Sequence, residues 1–151
     1  MFAPKKILVP TDFSEFSDNA LAHAVDIARQ HKSTIYLLHV LDVVKQCAAD
    51  YCLPADTLAA MRREGIRFSL EMIRQQVAKV GNTDGIEIIS DVREGAPTYE
   101  EILTEQKARD VDLIVIASHG KTGLLHHLMG SVADKVTRGA TCPVFLVRGP
   151  K

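Results

Sequence analysis

Five short apolar runs, separated by stretches in which apolar residues step by three and four, constrain this chain more than any other feature of its sequence. Lys6-Ile7-Leu8-Val9-Pro10 reads as a buried strand. Behind it, Ser17 is expected as a helix N-cap, with Ala20, Leu21, Ala24, Val25 and Ala28 at helical spacing. Thr34 to Val40 is rich in β-formers and gives a second strand. Residues 42 to 54 have no clear period, carry Cys47 and Cys52, and end at Pro54, so a long loop is expected. Ile66, Leu70, Ile73, Val77 and Val80 mark one face of a long helix, stopped by Gly81.

Ile86 to Val92 gives a third strand. Gly95-Ala96-Pro97 opens a helix with Pro97 in its first turn, where no amide donor is missed, and Ile102, Leu103 and Ala108 form its apolar side. Val111 to Ala117 is the most apolar run and suits a central strand covered on both faces. Ser131 begins a short last helix, and Val144 to Val147 is the fifth strand. Strict alternation of strand and helix implies one α/β domain over 1–151, a doubly wound parallel sheet with right-handed crossovers and helices on both faces.

A length of 151 residues suffices for one domain with a real core. With 18 Lys and Arg against 19 Asp and Glu, the formal net charge is −1, which argues against a protein built mainly to grip nucleic acid or an anionic membrane. No apolar run is long enough to span a bilayer, and the first residues reach Asp12 too soon for a signal-peptide core, so a cytoplasmic location is expected. The sparse cysteines, Cys47, Cys52 and Cys142, are expected as reduced thiols.

Open parallel sheets bind ligands beyond the carboxyl ends of their strands. Two such ends carry unusual residues: Pro10-Thr11-Asp12 after the first strand, and Ala117-Ser118-His119-Gly120-Lys121-Thr122-Gly123 after the fourth. The latter segment runs on to Gly130-Ser131 at the mouth of a helix. A helix start presents free amides and the positive end of the helix dipole, and glycine lets an anion approach the backbone. Ser131 also reads as a simple N-cap, with Asp134 completing a capping box; cap and phosphate contact are compatible. Gly120-Lys121-Thr122 imitates the tail of a P-loop, but Val115 stands where that motif needs glycine, so a Walker cradle is excluded. Asp12 has two readings: a ligand for ribose or a phosphate-held magnesium ion, or a turn residue before Ser14. Of the histidines, His119 alone is placed near a ligand; adjacent His126 and His127 make a poor metal clamp.

The stretch from Pro10-Thr11-Asp12, and from Ala117-Ser118-His119-Gly120 through Gly130-Ser131 to Cys142-Pro143-Val144, resembles the universal stress proteins over nearly the whole chain. The most specific motif is glycine, two residues, glycine, nine residues, glycine and Ser or Thr; here Gly120, Gly130 and Ser131 match and Ala117 replaces the first glycine. The resemblance implies a Rossmann-like sheet in the order 3-2-1-4-5, and a homodimer through the C-terminal strand, Thr141 to Arg148. It also implies ATP as ligand, with Mg or Mn. Asp12 would contact ribose or metal-bound phosphates, so its part in metal binding is indirect, through Mg-ATP. Val40 would pack on adenine, and Gly120, Gly130 and Ser131 would hold phosphates. Pro10, Thr11, Ile116, Ala117, His119 and Val132 complete the expected site.

Three functions follow from these features. The first is a regulatory stress-response dimer that uses ATP as a ligand with little or no hydrolysis. The second is a nucleotide-free interaction module of the same fold, favoured by Ala117. The third, weakest for want of an activated nucleophile, is a hydrolase or phosphotransferase using Asp12 and His119.

Overall fold

A computed structural model describes residues 1–42, 53–120 and 129–149. The expectations for Cys47, Cys52, Lys121, Gly123, His126, His127 and most of the 42–54 loop lie outside the described residues. Five strands appear in the sequence order expected: β1 (Lys6–Pro10), β2 (Thr34–Leu41), β3 (Ile88–Glu94), β4 (Leu113–Ala117) and β5 (Val144–Val147). Between them lie α1 (Glu15–His31), α2 (Ala55–Lys79), α3 (Thr98–Arg109) and α4 (Ser131–Gly139). The strands form one parallel sheet in the order β3-β2-β1-β4-β5.

Successive side chains of a strand face opposite sides, so each central strand feeds two cores. Ile7, Val9, Ile35, Leu37, Leu113 and Val115 pack against α1 and Ile73 of α2. Leu8, Leu38, Val40, Ile114 and Ile116 pack against Ile102 of α3 and Ala133 and Val136 of α4. This double burial explains why β1 and β4 read as continuous apolar runs rather than alternating ones.

The helix starts differ from expectation. Ser14, not Ser17, caps α1, its hydroxyl accepting from the Ser17 amide at 3.3 Å. Ser17 lies inside the helix, where its own hydroxyl donates to the Ser14 carbonyl. Pro97 is the N-cap of α3 rather than a residue of its first turn. Gly130 is the N-cap of α4, so Ser131 is its first helical residue, no side-chain cap is made there among the described residues, and Ser131 and Asp134 do not form the expected capping box. Asp134 instead pairs with Arg138 one turn later.

The buried row of α2 is Ser69, Ile73 and Gln76. Leu70, expected on the core face, is 40 % exposed, although Val77 and Val80 do pack against the core. The inward face is therefore centred partly on polar residues. Among the described residues, no helix is long and apolar enough to cross a membrane.

Candidate functional site

β1 and β4 are neighbours at the centre of the sheet, but the helices that follow them pack on opposite faces. That divergence opens a cleft at their carboxyl ends. The cleft has a volume of about 350 Å³. Pro10, Thr11, Asp12, Val40, Ile116, Ala117, His119, Gly120, Gly130, Ser131 and Val132 all line it, so every expected site residue is brought to one place. Ser17, Leu38, Thr98, Ile102, Ser118 and Ala133 also line it and were not expected from the sequence. Leu38 and Ile102 were legible only as core residues. Thr98 is a polar residue at a helix start, a signal too common to single it out.

The first wall is the turn after β1. The Thr11 amide donates to the Leu38 carbonyl at 2.8 Å, which continues the β1–β2 ladder one residue beyond the strand. Phe13 then takes φ +63°, a left-handed conformation unusual for an aromatic residue. Side chains hold that turn: the Phe13 amide donates to Thr11 Oγ1 at 3.1 Å, and the Ser14 amide and hydroxyl both donate to Asp12 Oδ1, at 3.0 and 2.5 Å. Asp12 is thus a turn residue, as one of its two readings had it, and it also lines the cleft. His39 stacks on Phe13 with ring centroids 4.3 Å apart. Its Nδ1 lies 2.8 Å from the Thr11 carbonyl, which only accepts, so this nitrogen carries a proton and donates.

The second wall is the segment after β4. The Ser118 amide donates to the Val147 carbonyl at 2.7 Å, and the Gly130 amide donates to the Ser118 carbonyl at 2.7 Å. This last bond pins the start of α4 beside the end of β4. A Cβ at Gly130 would lie 3.3 Å from the Ser118 carbonyl oxygen, so the backbones meet here with little space to spare. A helix start leaves its first amides without intrahelical partners. Among the described residues no side-chain cap is made at the start of α4, and Ser131, Val132 and Ala133 line the cleft. Ser118 Oγ and His119 Nδ1 are 2.8 Å apart. His119 Nε2 is buried and has no hydrogen-bond partner among the described residues.

Ala117, the departure from the glycine motif, pairs with Val147 in the β4–β5 ladder. It is not among the residues with positive φ. Its backbone is ordinary strand, which any L-residue adopts, so this position makes no conformational demand for glycine.

The cleft lining combines the apolar side chains of Leu38, Val40, Ile102 and Ile116 with the Asp12 carboxylate and the first residues of α4. Such a lining suits a ligand with an apolar part and an anionic part. No group of three or more His, Cys, Asp or Glu suited to a metal occurs among the described residues. A divalent ion here would therefore be held by Asp12 together with ligand phosphates, a donor set that fits magnesium, which is commonly bound by one or two carboxylates plus phosphates.

The profile of the Universal stress protein family matches residues 4–148. The chain belongs to the universal stress protein family. Universal stress protein MJ0531 of Methanocaldococcus jannaschii is 35% identical over 147 residues, covering 97% of this chain and 84% of that protein. The solved structure of the universal stress protein UspA from Lactobacillus plantarum superposes with a TM-score of 0.78 at 26% identity, covering 95% of this chain and 97% of that one. The structure of MJ0577 superposes with a TM-score of 0.75 at 30% identity, covering 99% of both chains. Two more distant folds were solved with nucleotides. A family protein from Arabidopsis thaliana holds AMP (TM-score 0.65, 24% identity, 97% and 93% coverage). One from Archaeoglobus fulgidus holds dAMP (TM-score 0.59, 20% identity, 97% and 99% coverage).

Proposed function

We propose that this universal stress protein binds an adenine nucleotide, ATP with Mg or Mn, as a regulatory ligand with little or no hydrolysis. The observation that carries this reading is the meeting, in one cleft, of the start of α4 with the turn at Asp12 and the apolar end of β2. Val40 and Ile116 supply the surface for the base, Asp12 receives ribose hydroxyls or a phosphate-bound ion, and Gly120, Gly130 and Ser131 leave room for phosphates. The AMP and dAMP held by distant relatives give the same ligand class. The ordinary strand backbone at Ala117, which makes no demand for glycine, supports this reading over a nucleotide-free module. As a ligand, the nucleotide acts by preferring one of two conformations.

The reading extends to a homodimer through Thr141 to Arg148. β5 is an edge strand with Phe145 44 % exposed. The opposite edge, β3, carries Asp91, Arg93 and Glu94, and charged edges resist strand pairing.

Two measurements test the ligand. Protein purified without added nucleotide is denatured and its small molecules identified by mass spectrometry; adenine nucleotide at near one per chain is expected. Equilibrium dialysis with Mg-ATP then compares the wild type with Gly130→Asp, which puts a carboxylate beside the Ser118 carbonyl and the α4 amides. Binding is expected to vanish in the variant. Full affinity there would remove the start of α4 from the site.

A further inference from the structure

The helix α2 reaches the cleft wall through one buried side chain. Gln76 is 5 % exposed and belongs to none of the cleft-lining residues. Its Oε1 accepts from the Thr11 hydroxyl at 2.9 Å. Its Nε2 donates to Asp18 Oδ1 at 2.7 Å and to Ser17 Oγ at 3.2 Å. A carboxylate only accepts, so the nitrogen must face Asp18 and the oxygen must face Thr11. The amide orientation is thereby fixed by chemistry. Asp18 is held in turn by Lys79, one turn further along α2, at 2.5 Å.

We propose that Gln76 is a positioning residue for the Thr11–Asp12 arm of the cleft, and that α2 is thereby coupled to whatever the cleft holds. The turn it supports is the one that needs support. Phe13 sits at φ +63°, a conformation that persists only where its surroundings over-determine it. Thr11 Oγ1, which accepts from the Phe13 amide, is the atom that Gln76 holds from behind. Asp12 lies between those two residues, so a shift of Thr11 re-aims its carboxylate. Leucine at 76 fills the same space and holds nothing. Glutamate puts a second carboxylate against Asp18.

The inference rests on the nucleotide reading for its ligand, but one arm of its test needs none. Without nucleotide, Gln76→Leu is expected to speed amide hydrogen exchange at Phe13 and Ser14 about tenfold, while Lys79→Ala, which keeps the Thr11 bond, changes it less than about twofold. With Mg-ATP, Gln76→Leu is expected to lower affinity about fivefold and to narrow the preference for ATP over 2′-deoxy-ATP, because Asp12 is displaced. In the wild type, the Gln76 side-chain amide resonances are expected to shift on saturation with Mg-ATP, a readout that survives even if the leucine variant does not fold. Unchanged exchange at Phe13 and Ser14, unmoved Gln76 resonances in a nucleotide-saturated wild type, or an equal loss for the two nucleotides overturns the role of Gln76. A wild type that binds neither nucleotide overturns the assignment of the cleft instead, and the exchange arm still decides whether Gln76 holds the turn.

Discussion

Gly120 lies so close to Asp12 that a methyl group at 120 would overlap the carboxylate oxygen Oδ2. Its φ is outside the left-handed region, so space rather than backbone freedom demands glycine there. Asp12 cannot simply swing aside, because Ser14 holds its other oxygen twice. Gly120→Ala is therefore expected to displace Asp12 and weaken Mg-ATP binding about tenfold, while costing only about 1 kcal/mol of stability. Isothermal titration with a parallel urea melt separates the two effects. Unaltered affinity would mean that Asp12 is not a ligand.

Glu105 is buried between two arginines. It accepts from Arg93 Nη1 at 2.9 Å and from Arg109 Nε at 2.7 Å, with its side chain 4 % exposed. Arg93 and Arg109 keep other partners in Glu101 and Asp91, and Arg109 also lies over the Tyr36 ring. Glu105→Gln keeps the shape and removes the charge. It is expected to cost about 2 kcal/mol, since each guanidinium retains one carboxylate. Urea denaturation at neutral pH measures it, and a loss under half that value would show the pairs to be balanced by their own desolvation.

Burial pushes the Cys142 thiol above its ordinary 9.0, with the Asp112 carboxylate adding to the rise. The folded state thus keeps the thiol proton to higher pH than the unfolded chain does. That contribution to stability is complete below the unfolded value and is lost as pH rises from about 9 through the folded value. Alkylation by iodoacetamide at pH 8.5, followed residue by residue by mass spectrometry, is expected to be slower at Cys142 in the folded protein than in urea, because the thiolate is the reactive form. Equal rates would contradict the shift.

Phe145 stands exposed on the edge strand β5, its ring tilted 52° to the His23 ring with centroids 5.9 Å apart. Phe145→Glu is expected to lower the dimer fraction in sedimentation without changing the melting temperature of the monomer by more than a few degrees. An unchanged sedimentation coefficient would direct attention away from this edge.

The fold was legible because its strands are short, apolar and separated by helical periods, and both signals come from burial. β1, β4 and β5 were correctly placed to within a residue or two by apolar content alone. The cleft is legible for a different reason: Asp12 and Gly120 follow the ends of neighbouring apolar strands, and Gly120 and Gly130 are both sites of close approach. Polar burial leaves no such signal. Gln76 and Ser69 occupy the inward row of α2, yet a search for apolar spacing passes over them and selects Leu70, which faces outward. The helix caps are ambiguous in sequence for a similar reason. Ser14 and Ser17 are both good capping residues in sequence, and only the Asp12 turn decides that Ser14 takes the role. At α4 the obvious cap, Ser131, is displaced into the helix because the Gly130 amide is bonded to the end of β4.

The central claim is that the start of α4 and the turn at Asp12 grip one nucleotide together. Titration of the ¹⁵N-labelled protein with Mg-ATP tests it at every amide. Saturable shifts confined to Thr11, Asp12, Val40, Gly120 and the Gly130 to Ala133 amides are the predicted result. Spectra that do not change, or shifts concentrated along β5 with Gly130 and Ser131 unmoved, would contradict it.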